Sequence, residues 1–167
     1  MISQPSITWQ RVYDGPLHYD ESFSSVCNTD DGNFFVAGYI ELAQANGFYV
    51  LKLNPYGDTL WTRIIGGRNL SQGVYSVVPV NDGGCVFTGA NDTAFTIKLD
   101  ANGNIVWYKP YPVSGSFQYA DLYDLVKTSD GGYIACGKIF GQVACIYKID
   151  SFGNLQWSKF YIAPFSK

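Results

Sequence analysis

Three recurrences in the 167-residue chain predict an all-β repeat fold. A turn signal, Asp31-Gly32, Asp82-Gly83 or Asp130-Gly131, is followed seven residues after its Asp by Gly38, Gly89 or Gly137. Lys52, Lys98 and Lys148 each stand nine residues before a tryptophan (Trp61, Trp107, Trp157), with Gly57, Gly103 or Gly153 four before the indole. Composition agrees: 17% aromatic residues and eighteen glycines suit short strands joined by tight turns. A unit of about fifty residues made only of strands cannot bury both faces alone, so it must stack on its neighbours. The expected architecture is a β-propeller region of three four-stranded antiparallel blades plus one extra N-terminal strand. It would form a partial propeller or half of an oligomeric ring.

The elements follow in order. An extra outer strand at about 6–13, Ile7-Thr8-Trp9-Gln10-Arg11-Val12-Tyr13, matches the later Trp61-Thr62-Arg63, Trp107-Tyr108-Lys109 and Trp157-Ser158-Lys159. Blade 1 covers about 22–65, with strands A to D near 23–29, 33–39, 47–54 and 58–65. Blade 2 covers about 73–111, with strands near 74–80, 84–89, 95–100 and 104–111. Blade 3 covers about 121–161, with strands near 121–128, 132–138, 143–150 and 154–161. The A-to-B turns place Asp then Gly where the backbone enters positive φ. The C-to-D turns, such as Asp100-Ala101-Asn102-Gly103-Asn104, start with an Asx that bonds its own backbone and keep Gly for the left-handed position.

The turns hold their length in every copy, and the other connections do not. From the B-strand Gly to the Lys is fourteen residues in the first repeat, nine in the second and eleven in the third. In a blade the B-to-C and D-to-A connections share one face, which therefore gathers His18, Glu41, Gln44, Asn46, Gln72, Gln118, Phe140 and Gln142. Loops on a rigid scaffold are where binding usually resides. The candidate ligand-binding residues on this face are Tyr19, Arg68, Asn69, Asn91, Asp92, Phe117 and Tyr119. Drift of loop sequence without function is the competing reading.

Structural roles are assigned to Trp9, Trp61, Trp107 and Trp157, whose flat indoles dock one blade on the next, and to Gly57, Gly103 and Gly153. The Lys before each C-to-D turn is expected to be a solvated or snorkelling strand residue. Of four cysteines, Cys27 and Cys85 read as core. A hairpin centred on Asn91-Asp92 places Thr88 opposite Phe95, and the same register in the third repeat places Cys136 opposite Cys145. That pair is either a cross-strand disulfide or two small buried thiols.

A net charge of −3 with 15% charged residues provides no basic surface for phosphates, so no nucleic-acid partner is expected. No run of eighteen apolar residues is present, and membrane insertion is not expected. The cysteine spacing matches no zinc site, and Asp100-Ala101-Asn102-Gly103-Asn104 has its Gly at the fourth position with no closing Glu, so neither zinc nor calcium is expected. His18 is the single histidine, no nucleophile elbow, phosphate loop or metalloprotease motif occurs, and no carboxylate pair stands out. No catalytic residue, no metal and no cofactor is assigned, and the chain is expected not to be an enzyme.

The run Thr128-Ser129-Asp130-Gly131-Gly132-Tyr133, an apolar strand to Gly137, then Lys148-Ile149-Asp150-Ser151-Phe152-Gly153-Asn154-Leu155-Gln156-Trp157 resembles the DGGY and KLDxxGNxxW repeats of secreted bacterial, Bacteroidetes-type β-propeller proteins. The resemblance covers Ile7 to Tyr161 and implies a secreted or cell-surface location, although the first residues carry no signal-peptide pattern. The Asp-x-x-Gly-x-x-x-Trp element, Asp100 to Trp107, also resembles the tryptophan-docking repeat of quinoprotein dehydrogenase propellers. That family's adjacent cysteine pair and calcium-bound quinone pocket have no match here, so no quinone is implied.

The functional expectation is a non-enzymatic extracellular binding or scaffold module that recognises protein or glycan through the variable face. The alternatives are a lectin-like carbohydrate-binding propeller and a fragment of a propeller enzyme. Three blades and a surplus strand leave exposed sheet edges, which natural proteins avoid. Self-association or membership of a longer propeller is therefore expected.

Overall fold

A computed structural model describes residues 10–13, 20–42, 45–66, 73–91, 93–111, 120–139 and 143–162. The described elements are all strands: β1 (Glu21–Asn28), β2 (Phe34–Leu42), β3 (Ala45–Leu53) and β4 (Thr59–Ile65) form the first sheet in that order. The second sheet is β5 (Val74–Pro79), β6 (Cys85–Asn91), β7 (Thr93–Leu99) and β8 (Ile105–Tyr111). The third is β9 (Ala120–Lys127), β10 (Tyr133–Ile139), β11 (Val143–Ile149) and β12 (Leu155–Tyr161). Every pairing is antiparallel between consecutive strands, so each sheet is one propeller-like blade. The blades meet chiefly through their first strands, β5 touching both β1 and β9.

Two cores glue the three blades. Phe35, Ala37, Phe48 and Val50 from blade 1 pack on Val77, Phe87, Phe95 and Ile97 from blade 2. Val86, Ala94 and Tyr111 from the other side of blade 2 pack on Leu122, Leu125, Ala135 and Tyr147 from blade 3. Blade 2, in the middle, is thus apolar on both faces, and its central strands read as near-continuous hydrophobic runs rather than strict alternations. We call the face toward the following blade the forward face and the opposite one the rear face.

The repeated B-strand glycines have a steric cause. The first strand of each blade carries a register irregularity opposite them, between Phe23 and Ser25, Val74 and Ser76, and Cys136 and Gly137 with its partner strand. A Cβ at Gly38 would lie 1.9 Å from the Ser22 carbonyl oxygen, and at Gly137 it would lie 1.8 Å from that of Asp121. Only a residue without Cβ lets the bulged strand come so close.

Two expectations change. The first-repeat strands run further than their turn signals implied: Glu41 opposes Asn46 and Leu42 opposes Ala45, so most of the long B-to-C segment is hairpin rather than loop. The hairpin register of the later repeats is shifted by one residue. Thr88 opposes Thr96, and Cys136 opposes Ile146 while Cys145 opposes Gly137. A one-residue shift changes the face: Cys136 is exposed, Cys145 is buried, and both thiols are free.

Candidate binding faces

The antiparallel order puts the A-to-B and C-to-D turns at one end of all three blades and the remaining connections at the other. At the turn end the six glycines share one geometry, with φ of 80° at Gly32, 81° at Gly83, 79° at Gly131, 78° at Gly57, 80° at Gly103 and 82° at Gly153. In each C-to-D turn the first residue caps the loop: the Asp100 carboxylate accepts from the Asn102 N–H at 2.9 Å and the Asn104 N–H at 2.8 Å, and Asp150 does the same for Phe152 and Asn154. The Asp100 carboxyl is held below its ordinary value, first by the Asn104 side chain and backbone. These carboxylates are engaged in making turns. Among the described residues no group of three or more His, Cys, Asp or Glu is arranged to hold a metal ion.

The turns are also the seats of the neighbouring blades. Trp61 donates its indole N–H to the Ala101 carbonyl at 2.9 Å, and Arg63 donates to the Gly103 carbonyl at 3.0 Å. Lys109 reaches Asn154 Oδ1 at 3.0 Å, and the Tyr111 hydroxyl donates to the Gly153 carbonyl at 2.9 Å. A Cβ at Gly153 would stand 3.0 Å from the Trp107 ring, so this glycine is needed both for its left-handed φ and for the indole that lies over it. Blade 1 receives the same contacts: the Tyr13 hydroxyl donates to the Gly57 carbonyl at 2.7 Å, and Arg11 pairs with Asp58 at 2.7 Å. Trp9 lies outside the described residues.

The repeated lysines depart from expectation. Lys52 and Lys148 are buried, and their ammonium groups are fixed rather than solvated. Lys148 pairs with Asp130 at 2.8 Å and Lys98 with Asp82 at 2.5 Å, tying the third strand to the A-to-B turn of the same blade. Lys52 instead donates to the Gly83 carbonyl of the next blade at 3.0 Å, over the Phe35 ring. Hydrogen bonds from Lys148, Thr128 and the Gly132 N–H hold the Asp130 carboxyl well below the usual carboxylate range. The joint recurrence of the turn Asp and the strand Lys was the available signal for this pairing.

A second set of inter-blade bonds joins the first strands of consecutive blades. Ser25 Oγ accepts from the Val77 N–H at 3.1 Å, and Ser76 Oγ accepts from the Leu125 N–H at 3.3 Å while donating to the Asp124 carboxylate at 2.9 Å. Ser25, Ser76 and Asp124 occupy the same place in their first strands, and blades 1 and 2 each offer that side chain to a backbone N–H of the next blade, while Asp124 accepts from the Leu125 N–H of its own strand at 2.8 Å.

One groove lies at the turn end. It encloses about 510 Å³ between blades 2 and 3 and is lined by Asp82, Lys98, Lys127, Ser129, Tyr133 and Ser151 among others. Its charges are largely matched: Lys98 is taken by Asp82, and burial, then the Asp82 charge, pushes the Tyr133 hydroxyl up to about 12. The other strongly shifted groups sit in the cores. Burial raises the Cys27 and Cys145 thiols to about 11 and the Tyr147 hydroxyl to about 12.

Of the residues expected on the variable face, Tyr19, Arg68, Asn69, Asp92, Phe117 and Tyr119 fall outside the described residues, as do His18, Gln44, Gln72, Gln118, Phe140 and Gln142. Asn91 ends β6 opposite Thr93, and Glu41 and Asn46 face each other across the β2–β3 hairpin. What the described strands fix is where these connections begin and end: all of them leave from one end of the blades.

Neither a family model nor a curated protein matches the chain. Solved structures do match in fold. A protein of unknown function from Bacteroides caccae superposes with a TM-score of 0.55 at 18% identity over 81% of this chain and 48% of its own length. A protein of unknown function from Dyadobacter fermentans gives 0.55 at 16% identity, covering 81% of this chain and 49% of that one. A eukaryotic initiation factor gives 0.53 at 11% identity, covering 91% of this chain and 35% of that one. This chain spans about half the length of the two bacterial proteins and about a third of the factor. At such identities the likeness concerns the fold.

Proposed function

We propose that the chain is a non-enzymatic extracellular binding or scaffold module that recognises protein or glycan through the end bearing its B-to-C and D-to-A connections. The observation that carries this reading is the division of labour between the two ends of the blades. At the turn end, the loops of constant length have their backbone carbonyls accepting from the preceding blade, as at Ala101, Gly103 and Gly153. Their carboxylates are committed to capping or to lysines. A surface so engaged in packing has little left to offer a ligand. The other end carries connections that vary from repeat to repeat in length and chemistry, rooted on strands whose register is held by buried cores.

The test replaces residues 112–119 and 140–142 with Gly-Ser segments of the same lengths. The parent and the variant are screened on a glycan array and on an array of extracellular proteins. The expected result is an unchanged far-UV spectrum and loss of every ligand found for the parent. Binding that survives the loop replacement but is lost on changing Asn102 or Phe152 in the turns would move recognition to the other end and overturn the reading.

A further inference from the structure

The forward face of blade 3 repeats, position by position, the surfaces that blades 1 and 2 bury. Val86, Thr88, Ala94 and Thr96 on the forward face of blade 2 are all but inaccessible beneath blade 3, Thr88 being 0% exposed. By repeat alignment their counterparts in blade 3 are Ile134, Cys136, Ala144 and Ile146, joined by Val126 and Trp157. These keep the same apolar character, yet Val126 is 52% exposed, Trp157 is 41% exposed, and Cys136 and Ala144 are exposed. The docking groups continue as well. Trp157, Lys159 and Tyr161 stand where Trp107, Lys109 and Tyr111 stand in blade 2. Asp124 stands where Ser25 and Ser76 take the backbone N–H of the following blade.

The contacts at the other end of the chain decide between two covers for this face. A second copy closing head to tail would set blade 3 on the rear face of blade 1. There the seat is already filled: Tyr13 holds the Gly57 carbonyl and Arg11 holds Asp58, as Tyr111 and Lys109 hold the turn of blade 3. Tyr13 also packs on the rear-face cluster of Ile40, Tyr49, Leu51 and Leu53. Residues 10–13 are not paired as the strand the sequence predicted at about 6–13, yet they fill the seat that the outer strand of an adjoining blade takes elsewhere, so β12 of another copy finds its place taken.

We infer that the forward face of blade 3 is the seat of a further blade of this same repeat type, one carrying an Asx-x-x-Gly C-to-D turn, and not of blade 1 of a second copy. The inference rests on continuity with the two interfaces already formed and is independent of what the loop end binds. Such a blade presents turn carbonyls to Trp157, Lys159 and Tyr161 and an N–H to Asp124.

Cys136 reports on this face, being the exposed member of the four cysteines. The experiment compares maleimide labelling of the full chain with that of the same chain extended beyond Lys167 by a second copy of residues 112–162, whose own two cysteines are replaced by Thr and Ala. Limited proteolysis follows the folding of the added repeat. The expected result is rapid labelling of Cys136 in the parent and labelling at least about tenfold slower in the extended chain, with the added repeat resistant to protease. Equal labelling rates, or an added repeat that stays protease-sensitive, would overturn the proposal. So would slow labelling of the parent that becomes fast on dilution as a dimer dissociates, since a second copy would then be the cover.

Discussion

Replacing Trp107 and Trp157 by alanine, one at a time, separates docking from mere presence of an indole. Both occupy the same place in their blades, but Trp107 lies over Gly153 of the next blade while Trp157 is 41% exposed on an uncovered face. A docked indole removes on the order of 150 Å² of apolar surface from water, which at about 25 cal/mol per Å² is about 4 kcal/mol as an upper value. The notch left by Trp107→Ala opens to solvent, so water rather than a void replaces the ring. About 3 kcal/mol is the expected loss. For Trp157→Ala the expected loss is under about 1 kcal/mol, that of a surface change. Urea denaturation read by far-UV circular dichroism measures both, and in a chain of this size the Trp107 variant should also melt roughly 6–12 °C lower. Equal losses for the two variants would refute the inter-blade docking of the indole.

Two further predictions concern the backbone and pH. Gly137→Ala forces a Cβ to within 1.8 Å of the Asp121 carbonyl oxygen, so the β9–β10 bulge must open, at a cost of about 1–3 kcal/mol in the same urea assay; an unchanged midpoint would show that the bulge is looser than described. The Asp130 carboxyl is held low by Lys148, so its contribution is fully present above the unfolded value near 3.8 and is lost as pH falls through the lower folded one. Asp130→Asn should therefore flatten the decline of the melting temperature between about pH 5 and pH 2 relative to the parent, and parallel declines would remove the Lys148–Asp130 tie from the account.

Much of this fold was legible because turn chemistry is local. An Asp-Gly or Asx-x-x-Gly signal needs only its own few residues, and all six such turns form with their glycines at positive φ. The strand limits next to those turns follow. Register on the B-to-C side was not legible, since moving a hairpin pivot by half a residue changes every partner by one; hence Cys136 meets Ile146 instead of Cys145. Apolar patterning does not signal the long first hairpin because Glu41, Gln44 and Asn46 are polar, though Glu41 and Asn46 pair near the end of the β2–β3 ladder. The lysines paired within their own blade depend on partners sixteen to eighteen residues away, Asp82 for Lys98 and Asp130 for Lys148, which only the repeat alignment brings together. Of the candidate ligand-binding residues, Asn91 ends β6 opposite Thr93, and the other six lie outside the described residues.

The account stands on one geometric claim, that the outer strand of each blade is seated on the C-to-D turn of the next. The measurement that meets it most directly is a nuclear Overhauser spectrum of the chain with assigned indole resonances. The Trp61 indole N–H, 2.9 Å from the Ala101 carbonyl oxygen by its nitrogen, should show cross-peaks to protons of Ala101 and Asn102, and the Trp107 ring should show them to the Gly153 α-protons, while Trp157 shows none to any other blade. Indole cross-peaks confined to each residue's own sheet would contradict it.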